Sequence, residues 1–472
     1  MQRLARTLAA PLAVALIIAL LPAASADERP AGRFLAISDV HLDPFGGMPE
    51  PKRLLDADVA DWPAILPGAD APPASYGADA NVPLFLASVA DARTRLPAPD
   101  FVVYPGDFVV HELERKIVAA GGDAAQMPAM AVKITRYLAD RLREAFPDAP
   151  ILPALGNTDS ACGDYRIEPG GAYLADTLPM LETLVGRDRL APDAAATWRA
   201  GGYYAARHPT VANARFIVLN NIFWTPEYEN ACGGAAAGRE AAPGESMLAW
   251  LRNELAETRR AGERAWLVYH VPAGVNAYPT VHARQGDGAT CRSTTVPFWH
   301  ERYRTPFEAL MVEYREVVAT AFSGHIHRDS WRLLRDGSGS VAAWGSIVPA
   351  ISPIYDDAPA YQIFDYDPAS GRLIDKTTVA VTNLAEAARG ATIAFAELYR
   401  FTAAYGLSPY GSDALATLSR ALETPRPSGD RTLYARFYGS GHGDDPDEGW
   451  PVYGCTPGNV PIGAFDACRC GD

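Results

Sequence analysis

The stretch Leu152–Ser160, LPALGNTDS, runs a short apolar segment straight into Gly156-Asn157. An apolar run of this length that ends in glycine and asparagine reads as a buried strand, Ile151–Leu155, stopping at a polar loop. Four other stretches have the same build. FLAISDVH ends in Asp39-x-His41, DFVVYPGD in Gly106-Asp107, AWLVYH in His270 and VATAFSGHIH in His325-x-His327. A sheet fixes the relative positions of its strand ends, so the loops leaving them can gather side chains at one rim. Singly, each loop is a weak signal, because a histidine after a strand is more often structural and Asp39 or Asp107 could cap a helix. All of them in one chain, each behind a strand, are hard to attribute to chance.

The residue types suit metal chemistry. Imidazoles and carboxylates together bind zinc, iron(II) or manganese, and an asparagine oxygen can complete a shell. A carboxylate can also bridge two ions. A pair about 3.5–4 Å apart can hold a hydroxide and clamp a phosphoryl oxygen.

Outward from these loops, further strands are expected at Ala214–Asn220 and Val341–Trp344, beside Phe34–Ser38, Phe101–Tyr104, Ala265–Tyr269 and Val317–Phe322. Helices are expected at Met130–Phe146, with Met130, Ile134, Tyr137, Leu138 and Leu142 on one face, and at Glu245–Thr258, ending near Gly262. This alternation argues an α/β catalytic domain over residues 33–382. Beyond it, TNLAEAARGATIAFAELYRF and SDALATLSRALE read as helical, giving a C-terminal helical, cysteine-containing extension over 383–472. Pro49–Asn81, rich in Pro, Ala and Asp, reads as a long surface loop near the first motif.

The chain has 472 residues, 48% of them hydrophobic and 21% charged, which is ordinary for a folded protein. Residues 1–26 are expected to be a signal peptide. Arg3 and Arg6 precede the apolar run Leu8–Leu21, and Ala24-Ser25-Ala26 supplies the small residues of a cleavage site. The mature protein is then secreted or periplasmic, with no transmembrane segment after cleavage. A net charge of −14, made more acidic by loss of those arginines, gives no general attraction to nucleic acid. Six cysteines in an exported chain suggest disulfides in place of a zinc cluster, although the pairing stays open.

The set DVH, GD, GN, H and GHIH resembles the calcineurin-like metallophosphoesterases. The flanking text, GDFVVHE, LPALGNTDS, VLNNIFW, YHVPAG, FSGHIHRD and LYRFTAAYGLSPY, is similar to the acid sphingomyelinase-like phosphodiesterases and their endopolyphosphatase relatives. The resemblance implies two β-sheets packed together with helices outside. It also implies two divalent ions, with zinc first and iron or manganese as alternatives. Asp39, His41, Asp107 and His327 would take one ion, and Asp107, Asn157, His270 and His325 the other. The implied activity is hydrolysis of phosphodiester or phosphoanhydride bonds by a hydroxide held between the ions.

One position departs from the family pattern. Where a histidine usually follows the Gly-Asn, this chain has Thr158, and a hydroxyl is no acid near neutrality. His111, four residues beyond Asp107, matches a second active-site histidine of the sphingomyelinase-like branch and is the candidate proton donor. The remaining histidines, His208, His282, His300 and His442, read as structural or exposed. The partner implied is a small phosphate-containing substrate: a nucleotide, a phosphodiester, polyphosphate or a lipid head group. Endopolyphosphatase or nucleotide phosphohydrolase activity is the alternative, and a non-catalytic, metal-stabilised binding protein is the reading of another class. Oligomeric state is not legible.

Overall fold

Strands with no polar face must be covered on both sides, and the chain provides this cover by stacking two mixed sheets. The computed structural model describes residues 31–230, 232, 242–283, 290–424, 426–442 and 449–471, and the expected signal peptide lies outside them. The strands are β1 (Gly32–Ala36), β2 (Val102–Tyr104), β3 (Ile151–Pro153), β4 (Tyr204–Arg207), β5 (Ala214–Val218), β6 (Arg264–Val268), β7 (Val318–Ser323), β8 (Ser330–Arg335), β9 (Val341–Ile347), β10 (Ala360–Tyr366), β11 (Leu373–Val381) and β12 (Phe395–Arg400). They form one sheet of order β12-β11-β10-β1-β2-β3 and another of order β4-β5-β6-β7-β9-β8. Within the first, β1, β2 and β3 run parallel; within the second, β5, β6, β7 and β9 do.

Aromatic side chains fill the space between the sheets. Phe34 of β1 stacks on Phe101 at 4.5 Å and on Phe364 of β10 at 4.9 Å. It also meets Trp266 of β6 and Phe322 of β7 edge-on at 5.7 and 5.6 Å, so rings from both sheets interdigitate. His208 sits in this layer, against Phe101, Phe216 and Trp266. Its Nδ1 accepts from the Thr210 and Val211 N–H groups, and burial lowers its pKa to about 3. The two-sheet expectation is met.

The helix Met127–Ala145 buries Met130, Ile134, Tyr137, Leu138 and Leu142, the face read from sequence. The helix Ala242–Ala261 covers the expected Glu245–Thr258, with Met247, Leu251 and Leu255 buried. Pro49–Asn81 departs from a plain surface loop. It contains short helical turns, and Leu54 and Trp62 are fully buried, because these apolar side chains dock on the main core.

The C-terminal region corrects one expectation. TNLAEAARGATIAFAELYRF is not helical throughout, since Phe395–Arg400 is strand β12, paired antiparallel with β11. A short apolar run fits either period, and here the open edge of β11 decides. The helix Ser412–Leu422 forms as expected. All six cysteines pair, as Cys162–Cys232, Cys291–Cys470 and Cys455–Cys468.

A buried ion pair ties the sheets together behind the GHIH loop. Asp329, just before β8, accepts from Lys376 Nζ on β11 at 2.5 Å, from Thr378 Oγ1 at 2.7 Å and from Tyr399 OH on β12 at 2.7 Å. Removing the cation leaves Asp329 charged and buried. Lys376→Met is expected to lower unfolding free energy in urea by about 3–5 kcal/mol, and adding Asp329→Asn should restore part of the loss. His208 makes a pH-dependent contribution. Its folded pKa lies below its unfolded value, so its stabilisation is complete above about pH 6.5 and falls away as the pH drops towards 3. In His208→Asn, the drop in stability between pH 7 and pH 4 should shrink by up to about 3 kcal/mol.

Candidate metal centre

Parallel strands end on the same rim, and the candidate donors lie there. Asp39 and His41 follow β1, Asp107 follows β2 and Asn157 follows β3; His270 follows β6, and His325 and His327 follow β7. The loops continue the strand pairing for a few residues. The Asp39 and His41 N–H groups donate to Gly106 and Asp107 carbonyls at 3.1 Å each.

The backbone is bent sharply to turn these side chains inward. Asp39, His41, Asp107, His325 and His327 all have φ between 45° and 71°. Nine non-glycine residues in the described chain have positive φ, and these make up the majority. Each such conformation costs on the order of 1–3 kcal/mol, and such strain clusters at functional sites. Two glycines make room. A Cβ on Gly106 would lie 2.7 Å from the Gly156 nitrogen, and one on Gly156 would lie 2.1 Å from Asp107 Oδ1. This close approach accounts for the Gly-Asp and Gly-Asn dipeptides.

The seven candidates converge. His41 Nε2 and His270 Nε2 lie 3.2 and 2.9 Å from Asp107 Oδ2. Asn157 Oδ1 is 3.0 Å from both His270 Nε2 and His325 Nδ1. His327 Nε2 is 3.1 Å from His41 Nε2 and 3.6 Å from Asp39 Oδ1. Donors bound at about 2.0–2.1 Å to one ion stand roughly 3 Å apart, so these distances are compatible with two shells that would share Asp107.

The tautomers agree. His41 Nδ1 faces the Val109 carbonyl at 3.2 Å and His270 Nδ1 faces the Pro105 carbonyl at 3.0 Å. A carbonyl only accepts, so each Nδ1 carries the proton and each Nε2 turns a lone pair on Asp107. Lone pair against carboxylate is repulsive unless a cation or a second proton lies between. Without a cation the rings take the proton. Burial opposes the charge, yet Asp107 raises His41 to about 10 and His270 to about 8. Burial, reinforced by His270, lowers His325 to about 3, while burial and His41 take His327 well down. Against the effect of its burial, His270 and His41 hold Asp107 well below the carboxylate range. The donor set thus fits divalent cations.

His111 lies at the edge of this cluster. Its ring stacks on His41 at 3.9 Å, and its Nδ1 pairs with Asp79 Oδ1 at 2.8 Å. Thr158 turns inward, its N–H and hydroxyl both donating to Asp107 Oδ1.

Three residues escaped the sequence reading. Asp79 comes from the stretch read as a loop, and its pairing with His111 depends on the tertiary fold. Asn221, in VLNNIFW, braces the β6 end by accepting from His270 and Val271 N–H at 3.2 and 3.1 Å. Asp159, two residues beyond Asn157, accepts from Asp107, Phe108, Val109 and Gly156 N–H at 2.7–3.1 Å. Burial and the Asp107 charge raise it to about 7. It thereby clamps the Gly-Asp loop to the Gly-Asn loop. Asp159→Ala leaves four buried N–H groups unpaired and should cost at least about 3 kcal/mol in chemical unfolding, with less metal retained per chain on elemental analysis.

No family model matches the chain. It is 26% identical over 428 residues to the acid sphingomyelinase-like phosphodiesterase 3b of Homo sapiens, a likeness spanning 86% of this chain and 82% of that one. It is 24% identical over 419 residues to a cyclic GMP-AMP phosphodiesterase of Rattus norvegicus, spanning 86% and 84%. Among solved structures, a dimetal phosphatase from Danio rerio superposes with a TM-score of 0.39 at 14% identity, over 78% of this chain and 99% of that one. Long relatives of one kind thus join the donor geometry: along most of its length the chain is similar to the acid sphingomyelinase-like phosphodiesterases, and both findings support a metal-dependent phosphoester hydrolase.

Proposed function

We propose that the protein hydrolyses small organic phosphodiesters at a centre of two divalent ions, with zinc as the resident metal. The observation that carries this reading is the shared carboxylate, with Asp107 Oδ2 close to imidazoles from both sheets. Asp39, His41, Asp107 and His327 would hold one ion, and Asp107, Asn157, His270 and His325 the other. Imidazole-rich shells completed by carboxylate and amide oxygen favour zinc among borderline cations. When bound, such a pair supplies Lewis acidity to the phosphoryl oxygens and an activated water.

The chain's own groups handle the leaving group. His111, anchored through Nδ1 by Asp79, keeps Nε2 as the nitrogen available to protonate a departing oxygen. Tyr355, half exposed, lies 4.8 Å from the His327 ring and 6.2 Å from His111 and forms a wall beside them. Cations close in sequence to this region are already engaged, Lys116 by Asp43 at 2.7 Å and Arg328 by Asp357. That arrangement and the acidic chain support an organic diester over polyphosphate. The names of the relatives point to nucleotide or lipid-derived diesters.

Three disulfides support export to an oxidising compartment, in line with the leader-like residues 1–26. No helix among the described residues is long and apolar enough to cross a membrane.

The test combines metal analysis with a substrate panel of nitrophenyl diester, cyclic dinucleotide, sphingomyelin and polyphosphate. Two ions per chain are expected, and chelation should abolish turnover that zinc restores. His270→Ala should lose more than about 100-fold in kcat. His111→Ala should lose heavily on alkyl leaving groups and little on nitrophenolate, with Asp79→Asn following the same pattern less severely. Stoichiometric metal without turnover on any member of the panel would sink the reading.

A further inference from the structure

We propose that Thr158 is a positioning residue for the metal centre, holding the Asp107 carboxylate so that Oδ2 alone faces both donor sets. This assignment rests on the two-ion reading above. The Thr158 N–H and Oγ1 reach Asp107 Oδ1 at 3.0 and 2.9 Å. Both residues are buried, Thr158 2% and Asp107 1% exposed, so no solvent competes for those bonds. On its other side, Oδ1 lies against Gly156, where even a Cβ would come within 2.1 Å. The Asp107 carbonyl is held too, accepting from Tyr104 OH at 3.1 Å. A carboxylate capped and walled in this way cannot swing to chelate one ion through both oxygens. It can only present Oδ2, which lies 3.2 Å from His41 Nε2 and 2.9 Å from His270 Nε2.

A hydroxyl has one proton. Thr158 gives its proton to Asp107, so none remains for a leaving group. The branch at Cβ stiffens χ1 and keeps the hydroxyl from rotating outward. The replacement of histidine here therefore moves the side chain's task from the substrate to the bridging ligand.

The experiment compares metal-free wild type, Thr158→Val and Thr158→Ser, each titrated with zinc against a chromophoric chelator. Elemental analysis and the zinc-dependent rise in Tm serve as second readouts. Valine keeps the shape and loses the hydroxyl, and serine keeps the hydroxyl. Thr158→Val should bind zinc about 10–100-fold more weakly, while Thr158→Ser stays near wild type. Cooperative unfolding of the metal-free proteins checks that each variant folds. Wild-type affinity in Thr158→Val would overturn the assignment, as would equal losses in both variants, which would mean that shape and not the hydroxyl matters. Failure of the wild type to bind zinc at all would instead overturn the two-ion reading itself, and this assignment with it.

Discussion

One carboxylate oxygen, Asp107 Oδ2, must be reached at the same time by imidazoles carried on two separate sheets. His41 rides on the loop after β1 and His270 on the loop after β6, and both come within about 3 Å of that atom. Many local features follow from this demand. The loops approach so closely that glycine is required at Gly106 and Gly156. The donors must turn back over their own strands, which places Asp39, His41, Asp107, His325 and His327 in the left-handed region. The penalty for burying so many polar groups is offset in part by hydrogen bonds, such as those of His41 Nδ1 and His270 Nδ1 to the Val109 and Pro105 carbonyls.

Strain at the rim persists only because the body of the protein is rigid. The interleaved rings of Phe34, Phe101, Trp266 and Phe322 set the spacing of the sheets, and with it the spacing of the loops above them. Asp329 performs a similar service behind His327, joining the GHIH loop to Lys376, Thr378 and Tyr399 on β11 and β12. The Asp159 carboxylate does the same for the first-sheet loops. Each of these anchors is a buried carboxyl group with directional partners, which fits a site whose donors must be placed within a few tenths of an ångström.

The placing of the candidate ligands behind strands was legible because sheet burial writes a continuous apolar run and these residues follow it directly. The two-sheet arrangement was legible only through resemblance, since strand periodicity does not say which strands share a sheet. Asp159 and Asp79 stayed hidden for a common reason: a buried carboxylate that accepts N–H bonds looks, in sequence, like any loop aspartate. Their partners lie about 50 and 32 residues away respectively and are chosen by the fold. Strand β12 was misread as helix because Phe395–Arg400 is short and its pairing is long-range. Thr158 carried a true signal, a departure from pattern, but its direction, inward to Asp107, is a fact of geometry alone.

The Cys291–Cys470 bridge has a consequence in time. The helix Ile462–Cys470 clasps residues 291–295, with Arg469 donating to the Cys291 carbonyl and to Thr294 and Thr295. That segment leads directly to Phe298, whose ring packs against His325 at 5.6 Å. Cys470 follows its partner by 179 residues, and the last strand of either sheet ends at Arg400. During synthesis, both sheets have therefore emerged before the wall beside His325 can be pinned. The bond that pins this segment is thus available only late in synthesis, and it needs an oxidising setting to form.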